Sequence, residues 1–177
     1  MGRSGLKKLT PTALRRRARN IRLVLTDSDG VLTDTGVYYS ESGEAFKRFS
    51  IRDGMGVERL RTAGIETAII TGENSPSVRQ RAAKLKLQHL YLGIRDKRSH
   101  LDAIVEETGF SIKELAYIGD DVNDLGIIEE IRRSGLTAAP EDAMGVVRRA
   151  VHYRTAARGG HGAFREFAEW ILRLRGT

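Results

Sequence analysis

The chain of 177 residues contains no cysteine, so it has neither a disulfide framework nor a thiolate metal site. Its three prolines leave no proline-rich linker, and no internal repeat or low-complexity tract divides it. No apolar run approaches the roughly 20 residues of a membrane span, and the N-terminus lacks the apolar centre of a secretory signal. Acidic residues are missing from the N-terminal segment altogether; the first is Asp27. These absences exclude a membrane protein and a disulfide scaffold, and make a cytoplasmic location the expectation.

What is present suits one globular domain: hydrophobic residues make up 40% and charged residues 30%. The net charge of +7 is unevenly placed. Eight of the 30 lysines and arginines precede Asp27, among them Arg3, Lys7, Lys8 and Arg15 to Arg17, which leaves 22 against 23 acids. The basic excess therefore belongs to a segment over residues 1–20, expected to be an extension or solvated helix, with the folded domain over 21–177. Neither nucleic acid nor a membrane is expected as a partner, because the charge is not spread over the domain.

Apolar runs over residues 21–26, 66–71, 89–93, 115–119 and 136–139 read as buried strands. Helical spacing occupies 55–63, 77–85, 98–108 and 123–131. Alternation of this kind predicts an α/β fold: a Rossmann-like, three-layer arrangement with a central parallel sheet. One segment departs from it. Val37-Tyr38-Tyr39 and Ala45-Phe46-Lys47-Arg48-Phe49 flank Ser40 to Glu44, the pattern of a β-hairpin, placed to form a flap after the first strand.

Ligands of open parallel sheets bind beyond the carboxyl ends of the strands. Here those ends carry Asp27-Ser28-Asp29-Gly30, Thr71-Gly72-Glu73-Asn74, Lys97 after the third strand, and Gly119-Asp120-Asp121-Val122-Asn123-Asp124. Acids, a hydroxyl and a lysine thus converge on one edge. A lone Asp-x-Asp-Gly after a strand is often only a helix cap; four such motifs in order, each at a strand end, are a far more specific signal.

In that order and spacing the motifs resemble those of the haloacid-dehalogenase (HAD) phosphatase superfamily. The resemblance implies that Asp27 attacks phosphorus to give an aspartyl phosphate, and that Asp29 serves as acid and base. It implies that Thr71 and Lys97 hold the phosphoryl group. Mg²⁺ would be bound by Asp27, the backbone carbonyl of Asp29, and Asp120, with Asp121 and Asp124 in support. Carboxylates suit both tasks: one can form an acyl phosphate, and Mg²⁺ takes hard oxygen donors. The short segments after Gly30 and Thr71 leave room for the hairpin but not for a large cap domain. This is similar to the capless subgroup, in which a homotetramer covers the sites.

Further residues narrow the resemblance. Asp27 to Asp34, Arg52-Asp53-Gly54 and the tail Gly159 to Glu166 are similar to the 3-deoxy-ulosonate phosphatases. The substrate implied is a phosphorylated sugar acid, and Gly72, Arg52 and Arg165 are implied as substrate contacts. The glycine-rich tail would reach towards a neighbouring subunit's site. Enzymes of that group acting on 3-deoxy-D-manno-octulosonate 8-phosphate usually carry Arg where Glu73 and His161 stand. Glu73 with Lys84, Asn123 and the stretch Phe164 to Phe167 instead resemble the phosphatases of 2-keto-3-deoxynononate 9-phosphate. The nine-carbon substrate is therefore expected slightly ahead of the eight-carbon one. Outside the enzymes, a non-catalytic phospho-acceptor or binding module is the remaining class; a receiver domain would carry its phosphorylated Asp after the third strand, where Ile94-Arg95 stands.

Overall fold

The computed structural model of the protein describes residues 9–177. Arg3, Lys7 and Lys8 of the basic segment lie outside the described residues. From residue 9 the elements run α1 (Pro11–Asn20), β1 (Leu23–Thr26), β2 (Val37–Ser40), β3 (Gly43–Lys47), α2 (Ile51–Thr62), β4 (Glu66–Ile70) and α3 (Pro76–Lys84). They continue with β5 (His89–Tyr91), α4 (Leu101–Thr108), β6 (Leu115–Ile118), α5 (Leu125–Ile131), β7 (Leu136–Ala139), α6 (Gly145–Ala150), β8 (Tyr153–Arg154) and α7 (Ala163–Arg175).

Six strands form one sheet in the order β5-β4-β1-β6-β7-β8, every pair parallel. Alternate residues of a strand face opposite sides of the sheet, and both sides are apolar here. Val24, Ile69, Ala116 and Ile118 pack with Leu60, Phe164 and Phe167 of α2 and α7, joined by Ala18 of α1 and Val78 of α3. Leu23, Leu25, Ala68 and Tyr117 pack with Ile104, Ile127 and Val147 of α4, α5 and α6. The result is the expected three-layer α/β fold with no cap domain. Among the described residues no helix is long and apolar enough to cross a membrane.

The boundaries differ from expectation where local chemistry overrides periodicity. Helix α2 starts at Ile51 rather than 55, because Ser50 accepts a hydrogen bond from Arg52 N and caps it. Helix α4 starts at Leu101 rather than 98, because Asp96 accepts from Ser99 N and holds a turn ahead of it. A 3₁₀ turn over Val122–Asp124 delays α5. Strand β8 is two residues long, too short to show a period.

Helix α1 is anchored rather than free in solvent. Thr10 caps its start, Ala18 is buried, and the Arg17 guanidinium donates to the carbonyls of Arg132, Arg133 and Gly135. The hairpin of β2 and β3 forms as expected, with a bulge between Tyr38 and Tyr39. It leans over the carboxyl edge of the sheet through Lys47 and Glu44, while Tyr38, Tyr39 and Phe46 stay largely exposed.

The glycine-rich tail is fixed at its start by backbone contacts. It packs against its own chain: Gly160 N donates to Val31 O, and a Cβ on Gly159 would lie 2.0 Å from the carbonyl oxygen of Gly30. Only glycine admits that approach. The segment then enters α7, whose first turn is capped from α2. Buried Asp53 accepts from Gly162 N at 3.2 Å and Arg165 N at 3.0 Å. Burial raises the Asp53 carboxyl above its ordinary range, opposed by these backbone donors. Asp53→Ala leaves those donors without their acceptor, and we expect a loss of about 2 kcal/mol in urea unfolding; an unchanged midpoint would remove the cap.

Candidate active site

Strand β1 lies between β4 and β6, and the chain crosses to opposite sides of it, so the loops after these strands open a crevice at the carboxyl edge. Asp27 follows β1 directly, its backbone N–H continuing the ladder to Ile118 O. Thr71 follows β4 in the same way, bonded to Tyr91 O. Asp120 lies two residues beyond β6. Sheet geometry alone therefore brings Asp27, Thr71 and Asp120 to one edge.

Lys97 joins them from the segment between β5 and α4. It is 1% exposed, and its Nζ lies 2.7 Å from Asp27 Oδ2 and 2.6 Å from Asp124 Oδ1. Burial acts to lower the Lys97 ammonium's pKa, but Asp27 and Asp124 outweigh it and hold the group protonated above its ordinary range. Asp124 is saturated. Its Oδ1 also accepts from the Tyr117 hydroxyl at 2.6 Å, and its Oδ2 accepts from the backbone N–H of Asp120 at 2.8 Å and Asp121 at 3.3 Å.

Two carboxylates remain for a cation. Oxygens of Asp27, Asp120 and Asp124 lie within 4.8 Å of one another, and with Asp124 engaged, Asp27 and Asp120 face the shared space. Burial, reinforced by the neighbouring acids, pushes the Asp120 carboxyl up to about 8. Burial and Asp124 push Asp27 up to about 7 against the pull of Lys97. Two acids whose ionised forms are disfavoured by burial and by neighbouring carboxylates are a fitting seat for a hard divalent cation such as Mg²⁺. Two glycines let them approach: a Cβ on Gly30 would sit 2.0 Å from Asp120 Oδ2, and one on Gly119 would sit 2.3 Å from Asp124 Oδ2.

Asp29 is set differently. Its Oδ1 accepts from the Thr33 hydroxyl at 3.1 Å and its Oδ2 from Lys47 Nζ at 2.8 Å. Lys47 is itself buried, with Glu44 at 3.4 Å on its other side. Thr71 is buried, its hydroxyl accepting from Glu73 N at 3.3 Å. Gly72 is half-buried beside it and Glu73 is exposed at the rim.

Of the other residues singled out in the sequence, Asp124 belongs to the cluster and the rest stand around or away from it. Asp121 is exposed and accepts from Val122 N at 2.6 Å, capping the 3₁₀ turn, while its charge adds to the pressure on Asp120. Asp124 is a member of the cluster whose oxygens are taken up by Lys97, Tyr117 and two backbone N–H groups. Lys84 ends α3, which starts at the carboxyl edge and runs away from it, so a pairing with Glu73 is not made within one chain. Arg52 is exposed at the start of α2. Arg165 pairs with Glu169 at 2.8 Å rather than with any residue of the cluster. His161 is exposed, its Nδ1 2.7 Å from Gly159 O. Sequence reasoning missed Lys47, Thr33 and Tyr117. Lys47 lay in a hairpin read only as a flap, and Tyr117 in a strand read only as apolar.

Raised carboxyl pKa values fix the sign of a pH effect. Between about pH 4 and 8 the folded protein keeps protons on Asp27 and Asp120 that the unfolded chain has released. Without divalent cation, stability is therefore expected to fall as pH rises through this window. Saturating Mg²⁺ should flatten that slope, because it binds the ionised pair in the folded state only. Thermal unfolding from pH 5 to 8.5, with Mg²⁺ or with EDTA, measures both; parallel profiles would show that these acids do not bind the ion.

No protein-family model matches the chain. Among curated proteins it is 37% identical over 163 residues to the 3-deoxy-D-manno-octulosonate 8-phosphate phosphatase KdsC of Haemophilus influenzae, covering 92% of this chain and 89% of that protein. The crystal structure of 3-deoxy-D-manno-octulosonate 8-phosphate phosphatase from Moraxella catarrhalis, in complex with magnesium ion, phosphate ion and KDO, is 34% identical with a TM-score of 0.86, covering 92% of each chain. A putative HAD-superfamily (subfamily III A) hydrolase from Legionella pneumophila is 36% identical with a TM-score of 0.87, covering 93% of this chain and 89% of that one. With identities of this order along almost its whole length, and with its acids, threonine and lysine gathered at the carboxyl edge of the same sheet, the chain belongs to the 3-deoxy-D-manno-octulosonate 8-phosphate phosphatase family of the HAD superfamily and is a phosphoric monoester hydrolase.

Proposed function

We propose that this chain hydrolyses the terminal phosphate ester of a 3-deoxy-2-ulosonic acid through an aspartyl-phosphate intermediate on Asp27. The observation that carries the reading is Asp27 itself: a buried carboxylate at the end of the central strand, oriented by Lys97 at 2.7 Å and Ser28 N at 2.7 Å. An Asp27 oxygen attacks phosphorus, the phosphorus–oxygen bond to the sugar breaks, and Asp29 delivers a proton to the departing alkoxide. Asp29 then takes a proton from water, whose oxygen attacks phosphorus, releasing inorganic phosphate and restoring Asp27. Thr33 and Lys47 fix the direction of the Asp29 carboxyl throughout. Thr71 and Lys97 hold the phosphoryl oxygens. Mg²⁺, held by Asp27, the backbone carbonyl of Asp29, and Asp120, would offset the negative charge that gathers on the phosphoryl group.

The finer substrate reading rests on Glu73. A carboxylate at the rim favours a hydroxyl-rich chain over further anionic charge, and supports 2-keto-3-deoxynononate 9-phosphate. The eight-carbon 3-deoxy-D-manno-octulosonate 8-phosphate is the second reading, favoured by the relatives, which are phosphatases of that substrate. Exposed Arg52, and Arg165 once released from Glu169, are candidate partners for the substrate carboxylate. We further propose a cytoplasmic homotetramer, supported by the exposed Tyr38, Tyr39 and Phe46 of the hairpin, an apolar patch suited to burial against another subunit.

The test is phosphate release with Mg²⁺ from the eight-carbon and nine-carbon substrates side by side. Asp27→Asn is expected to lower turnover by about a thousandfold or more while the fold persists; a folded, active Asp27→Asn protein would end the aspartyl mechanism. Glu73→Arg should move the ratio of kcat/KM values towards the eight-carbon substrate, by about tenfold for a single charged contact. An unchanged ratio would clear Glu73 of any part in selection.

A further inference from the structure

A second concave site lies at the opposite edge of the sheet from the acids. It is a groove of about 920 Å³ between α1, the end of α5, and the segment from α6 to β8. Its position follows from its walls. Arg17 bonds the carbonyls just ahead of β7, and the backbone N–H of Thr137, near the start of β7, donates to His152 Nδ1 at 3.1 Å.

The lining is strongly one-signed. Arg17, Arg132, Arg133, Arg149 and Arg154 face it against one acid, Glu129. Arg133 is paired with Glu130 at 2.8 Å. Among the described residues, no carboxylate lies within ion-pair distance of the other four arginines. Their mutual repulsion is visible in their neighbours. Burial, Arg16 and Arg132 lower the Arg17 guanidinium's pKa, and burial, Arg17 and Arg132 push His152 down to about 4. His152 is therefore neutral near pH 7. Since a backbone N–H can only donate, Nδ1 is its acceptor and Nε2 carries the proton. The groove thus offers guanidinium forks and one neutral N–H donor.

Other parts of the wall are apolar, from Leu9, Leu14 and Val151. The volume falls within the range of small-molecule sites. Forked guanidinium donors match phosphate oxygens in pairs, and an apolar wall beside them suits a flat ring. An extended nucleic acid would instead require a basic stripe continuing beyond one groove.

We propose that this groove binds a nucleoside polyphosphate, with Arg132 and Arg149 on the phosphates, the terminal N–H groups of Arg154 beside them while its Nε donates to Arg148 O, and Leu9, Leu14 and Val151 against the base. Arg17 is a scaffold member, since its guanidinium is committed to three backbone carbonyls. The site is separate from the catalytic edge, none of whose residues line it.

Calorimetric titration of the full chain tests this, with ATP and inorganic triphosphate as probes and EDTA present so that no divalent cation draws either probe to Asp27 and Asp120. The expected result is saturable one-to-one binding of ATP, weakened at least about tenfold in Arg132→Glu/Arg149→Glu. Phosphatase turnover by that variant should be unchanged. Arg149→Gln, a single surface change, should show an intermediate loss and guards against a misfolded double variant. Equal affinity of wild type and both variants, or no saturation, would overturn the site. Triphosphate binding as tightly as ATP would overturn the nucleotide assignment in favour of a bare polyphosphate. Tighter, length-dependent binding of single-stranded RNA, lost in the same variants, would overturn it in favour of nucleic acid.

Discussion

A buried ammonium held between two carboxylates organises the catalytic edge. Lys97 reaches Asp27 at 2.7 Å and Asp124 at 2.6 Å with almost no solvent contact. Removing one partner from a buried charge group of this kind costs about 3–5 kcal/mol, because it leaves an uncompensated charge behind. The consequences spread outward from that pair. Asp124 uses its second oxygen on the N–H groups of Asp120 and Asp121, so Lys97 indirectly fixes the loop carrying Asp120. Asp27 is aimed from one side by Lys97 and from the other by Ser28 N. The chain segment after β5 is thereby tied to the ends of β1 and β6. Three carboxyl groups share one lysine in a confined space, and a divalent cation would let Asp27 and Asp120 ionise together there.

Around this centre, distant pieces of the chain converge on the loop from Asp29 to Asp34. The hairpin arrives through Lys47, which grips Asp29 while leaning on Glu44. The tail arrives through Gly159 and Gly160, whose missing side chains permit backbone-to-backbone contact. Helix α2 holds the tail in turn, through the buried Asp53 at the start of α7. The catalytic edge is thus bounded by a flap in place of a cap domain. Tyr38, Tyr39 and Phe46 lie exposed on that flap. At the other edge of the sheet the arginine groove faces away, so the molecule separates its acidic and basic surfaces by the full length of its strands.

Much of this was legible in the sequence for physical reasons. Buried parallel strands are apolar on both faces, so β1, β4, β6 and β7 announce themselves as short apolar runs, and the polar residues that interrupt them mark the carboxyl edge. Asp27, Asp29, Thr71, Lys97 and Asp120 follow from that rule together with the family resemblance. Roles that depend on partners far away in the chain did not show. Nothing in the spacing tells that Tyr117 turns its hydroxyl to Asp124, or that Lys47 swings from the hairpin to Asp29. Helix starts were displaced where a single side chain, such as Ser50 or Asp96, captured a backbone N–H. The Glu73 and Lys84 pairing looked natural along the sequence, yet helix α3 carries the two ends apart. The basic excess, assigned to a solvated segment, proved partly structural once Arg17 met three carbonyls.

The central claim is that Asp27 becomes covalently phosphorylated during turnover. Rapid acid quench of the Mg²⁺-loaded protein with substrate in excess, followed by mass spectrometry of the peptide containing Asp27, tests it most directly. The account predicts a phosphoryl adduct on Asp27 that forms within a single turnover, decays at the rate of phosphate release, and is absent from Asp27→Asn. Steady phosphate release with no adduct on any quenched peptide, or an adduct on a different residue, would contradict it.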